Sequence, residues 1–208
     1  RSRNRRNAPL ATGPGPDRSF VFQDFALMPW ATVLRNAAFG LELRGVPRSE
    51  REAIAETYIG QVGLKGFEQK YPHELSGGMR QRVGLARALA VDAPVLMMDE
   101  PFSAVDEQTR RKFQEDLLAL LRQHRKTVIF VTHSIEEAAY LSDQIVLLSP
   151  RPGTVSRIVR PAVDRSRSPD EILERAWKDQ LLMRATGLLE ESYRREGAVV
   201  RFQVFRDF

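Results

Sequence analysis

The sequence predicts an α/β fold in which a parallel sheet is covered by helices, and three observations carry that prediction. From Leu75 onward the chain alternates helix, strand, helix, strand. Two short apolar runs, Val95 to Met98 and Val128 to Val131, have the length and composition of buried strands. Between them, Phe113, Leu117, Leu120 and Leu121 recur at helical spacing, so a crossover helix joins the two strands and sets them parallel.

The elements follow in order. Residues 1–18 form an irregular basic arm, with Arg1, Arg3, Arg5 and Arg6 clustered and Gly13-Pro14-Gly15-Pro16 acting as a turn. Ordered structure is expected from Ser19, with Phe20-Val21-Phe22 as a buried strand ending at Gln23. Thr32 caps a helix after the loop Met28-Pro29-Trp30, and Ser49 with Glu52 reads as a capping box for the next, whose face carries Ile54, Tyr58, Ile59 and Val62. Residues 32–71 thus read as a helical subdomain inserted in a domain of residues 19–160.

A helix starting at Ser76 lines up Met79, Val83, Ala86 and Ala90, and Asp92-Ala93-Pro94 turns the chain into the strand Val95 to Asp99. Thr127 to Thr132 is the next strand, and Ser134 with Glu137 a second capping box. Ile145 to Leu148 and Val155 to Val159 follow, flanking the turn Pro150 to Gly153. Residues 161–208 read as a helical extension and tail, the helix opening at Ser168, Pro169 and Glu171 and carrying Ile172, Ala176, Trp177 and Leu181.

Composition removes several function classes. The 208 residues, 42% hydrophobic and 28% charged, suffice for one sizeable core. No apolar run is long enough to cross a bilayer and none near Arg1 resembles a secretory signal, so an intracellular protein, soluble or peripheral to a membrane, is expected. The absence of cysteine excludes disulfides and thiol chemistry. The net charge of +5 alternates with acidic residues along the helices, as on solvated helix faces, which argues against a nucleic-acid groove. His73, His124 and His133 form neither a zinc constellation nor a catalytic triad.

Chemistry concentrates in four places. In Leu75-Ser76-Gly77-Gly78-Met79-Arg80-Gln81-Arg82, a serine and two glycines open a helix whose free N–H groups and dipole suit a phosphate. The plainer alternative is a serine cap with flexible glycines. Val95-Leu96-Met97-Met98-Asp99-Glu100-Pro101 delivers two carboxylates at the carboxyl end of a strand, Asp99 suited to magnesium and its water shell, Glu100 to polarising a water. A strand end and polar turn would look similar. His133 ends the next strand on the same sheet edge, and Gln23 ends the first, where its carboxamide could bind a magnesium-coordinated water. Asp106, in Ser103-Ala104-Val105-Asp106, is an N-cap candidate.

Together these residues resemble the ATP-binding subunit of an ABC transporter, with Gln23 as the Q-loop, Leu75 to Arg82 as the signature and Val95 to Glu100 as Walker B. Ser103 to Asp106 matches the D-loop and His133 the switch histidine. Within that family, Phe22-Gln23-Asp24 and Leu27-Met28-Pro29-Trp30 resemble the nitrate, sulfonate and taurine importer group. The resemblance implies a P-loop NTPase-type parallel sheet, truncated, with helices on both faces and an inserted α-helical subdomain. It implies ATP and Mg2+ as cofactors, with Glu100 and His133 catalytic, Gln23 and Asp99 at the metal, and Gln23, Ser76, Gly77, Gly78, Gln81 and Asp106 at the nucleotide.

The implied partners are a homologous ATPase subunit, membrane-spanning permease subunits and, indirectly, a solute-binding protein, with no nucleic acid. The implied location is peripheral, on the cytoplasmic face of the bacterial inner membrane. Chromosome-maintenance ATPases share the signature, but their long coiled coil has no counterpart between Gln23 and Leu75.

One part of the pattern is absent from these 208 residues. No Gly-x-x-x-x-Gly-Lys-[Ser/Thr] loop precedes Gln23, and none of Lys65, Lys70, Lys112, Lys126 and Lys178 follows a glycine in that motif. Such a loop supplies the N–H nest and lysine that hold the phosphates. The expectations are a half-site without tight ATP binding or hydrolysis alone, uncovered apolar surface with marginal stability, and a truncated or frameshifted gene. The alternative function is a non-catalytic partner that donates only the signature to another subunit's site.

Overall fold

The computed structural model describes residues 13, 15–124, 126–149, 153–160 and 202–206. Strand β1 is Arg18–Val21, followed by helices α1, Val33–Leu43, and α2, Arg48–Gln61. A short 3₁₀ turn, Pro72–Glu74, leads to α3, Gly77–Ala90, and then to β2, Val95–Asp99. Helix α4, Glu107–His124, is followed by β3, Thr127–Thr132, α5, Ile135–Leu141, β4, Gln144–Leu148, β5, Val155–Val159, and β6, Phe202–Arg206.

The sheet has the order β1-β2-β3-β6-β4-β5. β1, β2 and β3 run parallel, with Val21 opposite Met98 and Met98 opposite Phe130. β6 enters antiparallel between β3 and β4, and β5 pairs antiparallel at the far edge. The tail expected around residues 202–206 is therefore a strand in the middle of the sheet, while the helix predicted from Ser168 lies outside the described residues.

Register fixes which strand residues share a face. Val21, Leu96, Met98, Val128 and Phe130 are each at most 3% exposed, and they look toward α3, α4 and α5. α3 packs beside Val21 at Gly84, where a β-carbon would stand in ordinary contact, 3.8 Å from the valine methyl. Leu117, Leu118 and Leu121 of α4 and Leu141 of α5 line a small apolar cavity with Met98, Val128 and Phe130. On the opposite face Phe20 and Phe22 are 38% and 49% exposed, and Met97 and Ile129 are half-buried.

Two local expectations change. α2 begins at Arg48 behind Pro47, whose φ of −54° already suits helix entry, so Ser49 is not its cap and Glu52 pairs with Arg48 at 2.8 Å instead. Ser134 does cap α5, accepting from the Glu137 N–H at 3.2 Å, but the Glu137 carboxyl turns to the Thr132 hydroxyl rather than back to Ser134. Thr32 caps α1 as expected, with its hydroxyl accepting from Arg35 N–H at 3.3 Å.

Candidate functional site

Parallel strands bring their following residues to one edge of the sheet. Here the edge carries Gln23 after β1, Glu100 after β2 and His133 after β3. The Gln23 carboxamide nitrogen donates to Glu100 Oε2 at 3.2 Å, and His133 Nδ1 lies 3.3 Å from Glu100 Oε1. Three residues remote in sequence thus meet on one carboxylate. Glu100 is sheltered, with its side chain 19% exposed, whereas His133, at 60%, stands open to an incoming group.

The backbone of Glu100 is left-handed, φ 44°, a conformation non-glycine residues avoid. Its neighbours hold it there. Its N–H continues the ladder to Val131 C=O at 2.9 Å, and its carbonyl accepts from both the backbone and the hydroxyl of Ser103. The chain therefore leaves β2 abruptly, and Glu100 is lifted to the sheet edge rather than continuing the strand's alternation.

Asp99, the last residue of β2, is half-buried and registers with Val131. Among the described residues no three acidic or imidazole groups form a metal cage. The oxygen donors at hand, Asp99 and the Gln23 carboxamide, fit a hard cation such as magnesium, which keeps waters and phosphate oxygens in its shell.

At the opening of α3, Ser76 is the N-cap, and its hydroxyl accepts from Met79 N–H at 3.3 Å. Among the described residues no acceptor meets the Gly77 and Gly78 N–H groups, which leaves two donors at the positive end of the helix dipole. That donor set fits a phosphate oxygen. Gly77 also touches the turn after β2, since a β-carbon there would lie 2.8 Å from the Ala104 carbonyl oxygen. Asp106 caps α4 through the Thr109 hydroxyl and N–H, and those bonds hold its carboxyl below the usual range.

Gln81 requires a correction. It is 2% exposed on the inner side of α3, with its Nε2 lacking a partner among the described residues, so it does not reach an external nucleotide. One helical turn past the cap, its position faces the core rather than the open helix end. Arg82 is likewise directed inward, donating to Val62 C=O at 2.9 Å, pairing with Asp116 at 3.1 Å and lying over the Phe113 ring. The second half of the motif joins the helical subdomain to α4.

Residues 12–103 match the family model described as ABC transporter. The matched segment is an ABC transporter domain. It is 54% identical over 160 residues to an uncharacterized ABC transporter ATP-binding protein of Methanocaldococcus jannaschii, covering 77% of this chain and 60% of that protein. It is 53% identical over 159 residues to the taurine import ATP-binding protein TauB of Pseudomonas syringae pv. tomato, covering 76% and 61%. The dimeric structure of an ATP-binding cassette bound to ADP and Pi superposes with a TM-score of 0.61 at 33% identity, over 71% of this chain and 64% of that one. The chain spans about 60% of the length of these curated relatives.

Asn36, which pattern reading passed over, and Glu137, which it read only as half of a capping box, shape this domain. Asn36 is fully buried; its carboxamide accepts from Met28 N–H at 2.8 Å and donates to the carbonyls of Met28, Ala31 and Thr32. It staples the loop that presents Trp30, and its only sequence signal is a polar residue amid apolar positions of α1. Glu137, four residues past His133, is buried, and burial pushes its carboxyl up against the opposing pull of the Thr132 hydroxyl.

Proposed function

We propose that this chain is part of the ATP-binding subunit of an importer of taurine-like sulfonate anions, coupling ATP hydrolysis to uptake. The observation that carries the reading is the convergence of Gln23 and His133 on Glu100 at the carboxyl edge of the parallel sheet. TauB relatives in Pseudomonas supply the substrate class, with nitrate and other sulfonates as neighbouring possibilities. Magnesium, when bound, would neutralise phosphate charge, and Asp99 and Gln23 are the residues that would hold it, directly or through water. Glu100 orients and deprotonates the attacking water, and His133 donates to the terminal phosphate.

Ser76, Gly77 and Gly78 serve a different nucleotide, one held by the phosphate loop of a homologous subunit across a dimer. Support comes from the two N–H donors at the start of α3 and from the dimeric arrangement of the cassette structures it resembles. Trp30, 72% exposed, and Phe67 and Tyr71, 38% and 40%, form the surface offered to a permease. The backbone ties of Val33 to Lys70 and Leu34 to Glu68 bring those segments side by side. No described helix is long and apolar enough to cross a membrane.

The test mixes the chain with a purified homologous subunit that carries the glycine-lysine loop, and measures ATP binding and hydrolysis. The chain alone is expected to show no saturable micromolar ATP binding, and the mixture to hydrolyse faster than the homologous subunit alone. Ser76→Arg is expected to remove that gain and Glu100→Gln to leave it. Tight binding by the chain alone, or a gain that survives Ser76→Arg, would sink the reading. Restored taurine uptake in cells lacking their own ATPase subunit, with the permease present, tests the substrate.

A further inference from the structure

The turn that follows Gln23 is held by α3. Phe25 and Ala26 are consecutive non-glycine residues at φ 59° and 43°, both left-handed. The turn is tight, with Ala26 N–H donating to Asp24 C=O at 2.6 Å and Phe25 N–H to Phe22 C=O at 3.1 Å. Such a conformation persists only where its surroundings over-determine it. The surroundings here are two arginines on one side of α3, seven residues apart. Arg87 donates from Nη1 to Ala26 C=O at 2.7 Å and from Nη2 to Phe25 C=O at 2.8 Å, and the Arg80 guanidinium lies 5.6 Å from the Phe25 ring centre.

The match of ligand to grip is specific. The carbonyls of two successive left-handed residues both lie within reach of one guanidinium, and its planar fork of two N–H donors spans them. Arg87 is half-buried, and its burial pulls its pKa down, so a cation has been placed here with backbone oxygens as its seen acceptors. A serviceable turn would not require this. Gly84, one helical turn earlier, also lies beside the turn, its β-carbon position 3.7 Å from the Phe25 carbonyl oxygen.

We propose that Arg87 is a positioning residue: it fastens the strained Phe25-Ala26 turn to the signature helix and thereby sets where the Gln23 carboxamide stands relative to Glu100. A shift of α3, whose first turn carries Ser76 and Gly77, is then transmitted through Arg87 to the residue that touches Glu100. The functional consequence rests on the reading of Gln23 and Glu100 as site groups. The mechanical link does not.

The experiment reads that link without nucleotide, so failure of the transporter reading and failure of this proposal are separable. Amide hydrogen exchange and the side-chain NH2 resonances of Gln23 are followed in the wild-type chain, in Arg87→Met and in Arg87→Met with Ala26→Gly. Arg87→Met is expected to accelerate exchange at Phe25 and Ala26 about tenfold or more and to move the Gln23 resonances, while exchange at Val83 to Leu89 stays put. Glycine at 26 adopts the left-handed conformation freely, so the double variant is expected to recover the wild-type Gln23 resonances, a rescue that a packing role for Arg87 would not give. Should Arg87→Met not fold, Arg87→Lys is read instead, with the same displacement of Gln23 expected because the fork is lost. A folded variant, Met or Lys, with wild-type Gln23 resonances overturns the proposal, as does a double variant that stays displaced.

Discussion

The α-carbon of Gly77 sits so close to the carbonyl oxygen of Ala104 that a β-carbon would lie 2.8 Å away, whereas one on Gly78 would stand 3.8 Å from the Val105 methyls. The first distance ends on backbone and cannot be relieved by turning a side chain. Gly77→Ala is therefore expected to cost about 1–3 kcal/mol, as overpacking does. Gly78→Ala meets ordinary contact and removes a flexible residue from a helix, a change worth up to about 1 kcal/mol in the helix's favour. Urea unfolding of the two variants checks the contrast; equal midpoints would show that Gly77 and Ala104 are not in close apposition.

Asn36 ties together a loop that nothing else in α1 could hold. Replacing it by alanine strands the Met28 N–H and the Ala31 carbonyl, while the Met28 and Thr32 carbonyls keep the backbone N–H groups of Ala31 and residue 36. Leaving buried groups unsatisfied costs about 1–3 kcal/mol. Asn36→Ala is expected to lower the urea midpoint by that much and to expose the Met28 amide to exchange. An unchanged Met28 exchange rate would mean that the loop is held by other contacts.

Much of this was readable beforehand, for a definite physical reason. Hydrophobic periodicity and caps are local, and they located β2, β3, α3 and α4 and placed Gln23, Glu100 and His133 at one edge, because parallel strands leave no other option. What escaped depends on partners far along the chain. Motif spacing could not show that Gln81 faces inward, since a residue one helical turn past a cap has no exposure of its own until the helix is docked. The left-handed Phe25 and Ala26 carry no glycine to announce them, and the partners that hold them lie some sixty residues away on α3. β6 pairs with strands whose sequence offers no register to match.

Lys126 is almost fully buried, yet its ammonium reaches Asp92 at 2.7 Å and the Ala93 carbonyl at 2.8 Å. Asp92 is 80% exposed and left-handed, φ 50°, so the pair is shielded on one side only. An apolar side chain of similar length fills the same space without needing the pair, and Lys126→Met is expected to change stability by less than about 1.5 kcal/mol. Asp92→Ala leaves the ammonium with a single oxygen and keeps a β-carbon in a left-handed backbone that the carboxylate no longer helps to hold, and it is expected to cost more than Lys126→Met. Asp92→Gly loses the carboxylate as well but relieves the left-handed backbone, so the gap between Ala and Gly measures the strain. Thermal melts that rank Met as the worst of the three would contradict this.

Glu137 gives the pH prediction. Burial raises the pKa of its carboxyl above the ordinary 4.5 and outweighs the opposing pull of the Thr132 hydroxyl and of Arg110 and His133 nearby, with Glu100 acting in the same direction as burial. The folded protein therefore holds this proton in a range where the unfolded chain has released it. Folding binds protons there, and stability falls as pH rises from about 4.5 through the raised pKa, reaching its full loss above it. Glu137→Gln keeps the shape and an acceptor for Thr132 but has nothing to ionise. The variant is expected to match the wild type in melting temperature near pH 4 and to exceed it at pH 7.5. The two chains are otherwise identical, so the difference between the two curves reports this carboxyl. A variant that melts below the wild type at pH 7.5 by the same margin as at pH 4 would show that Glu137 is ionised and useful as such in the folded protein.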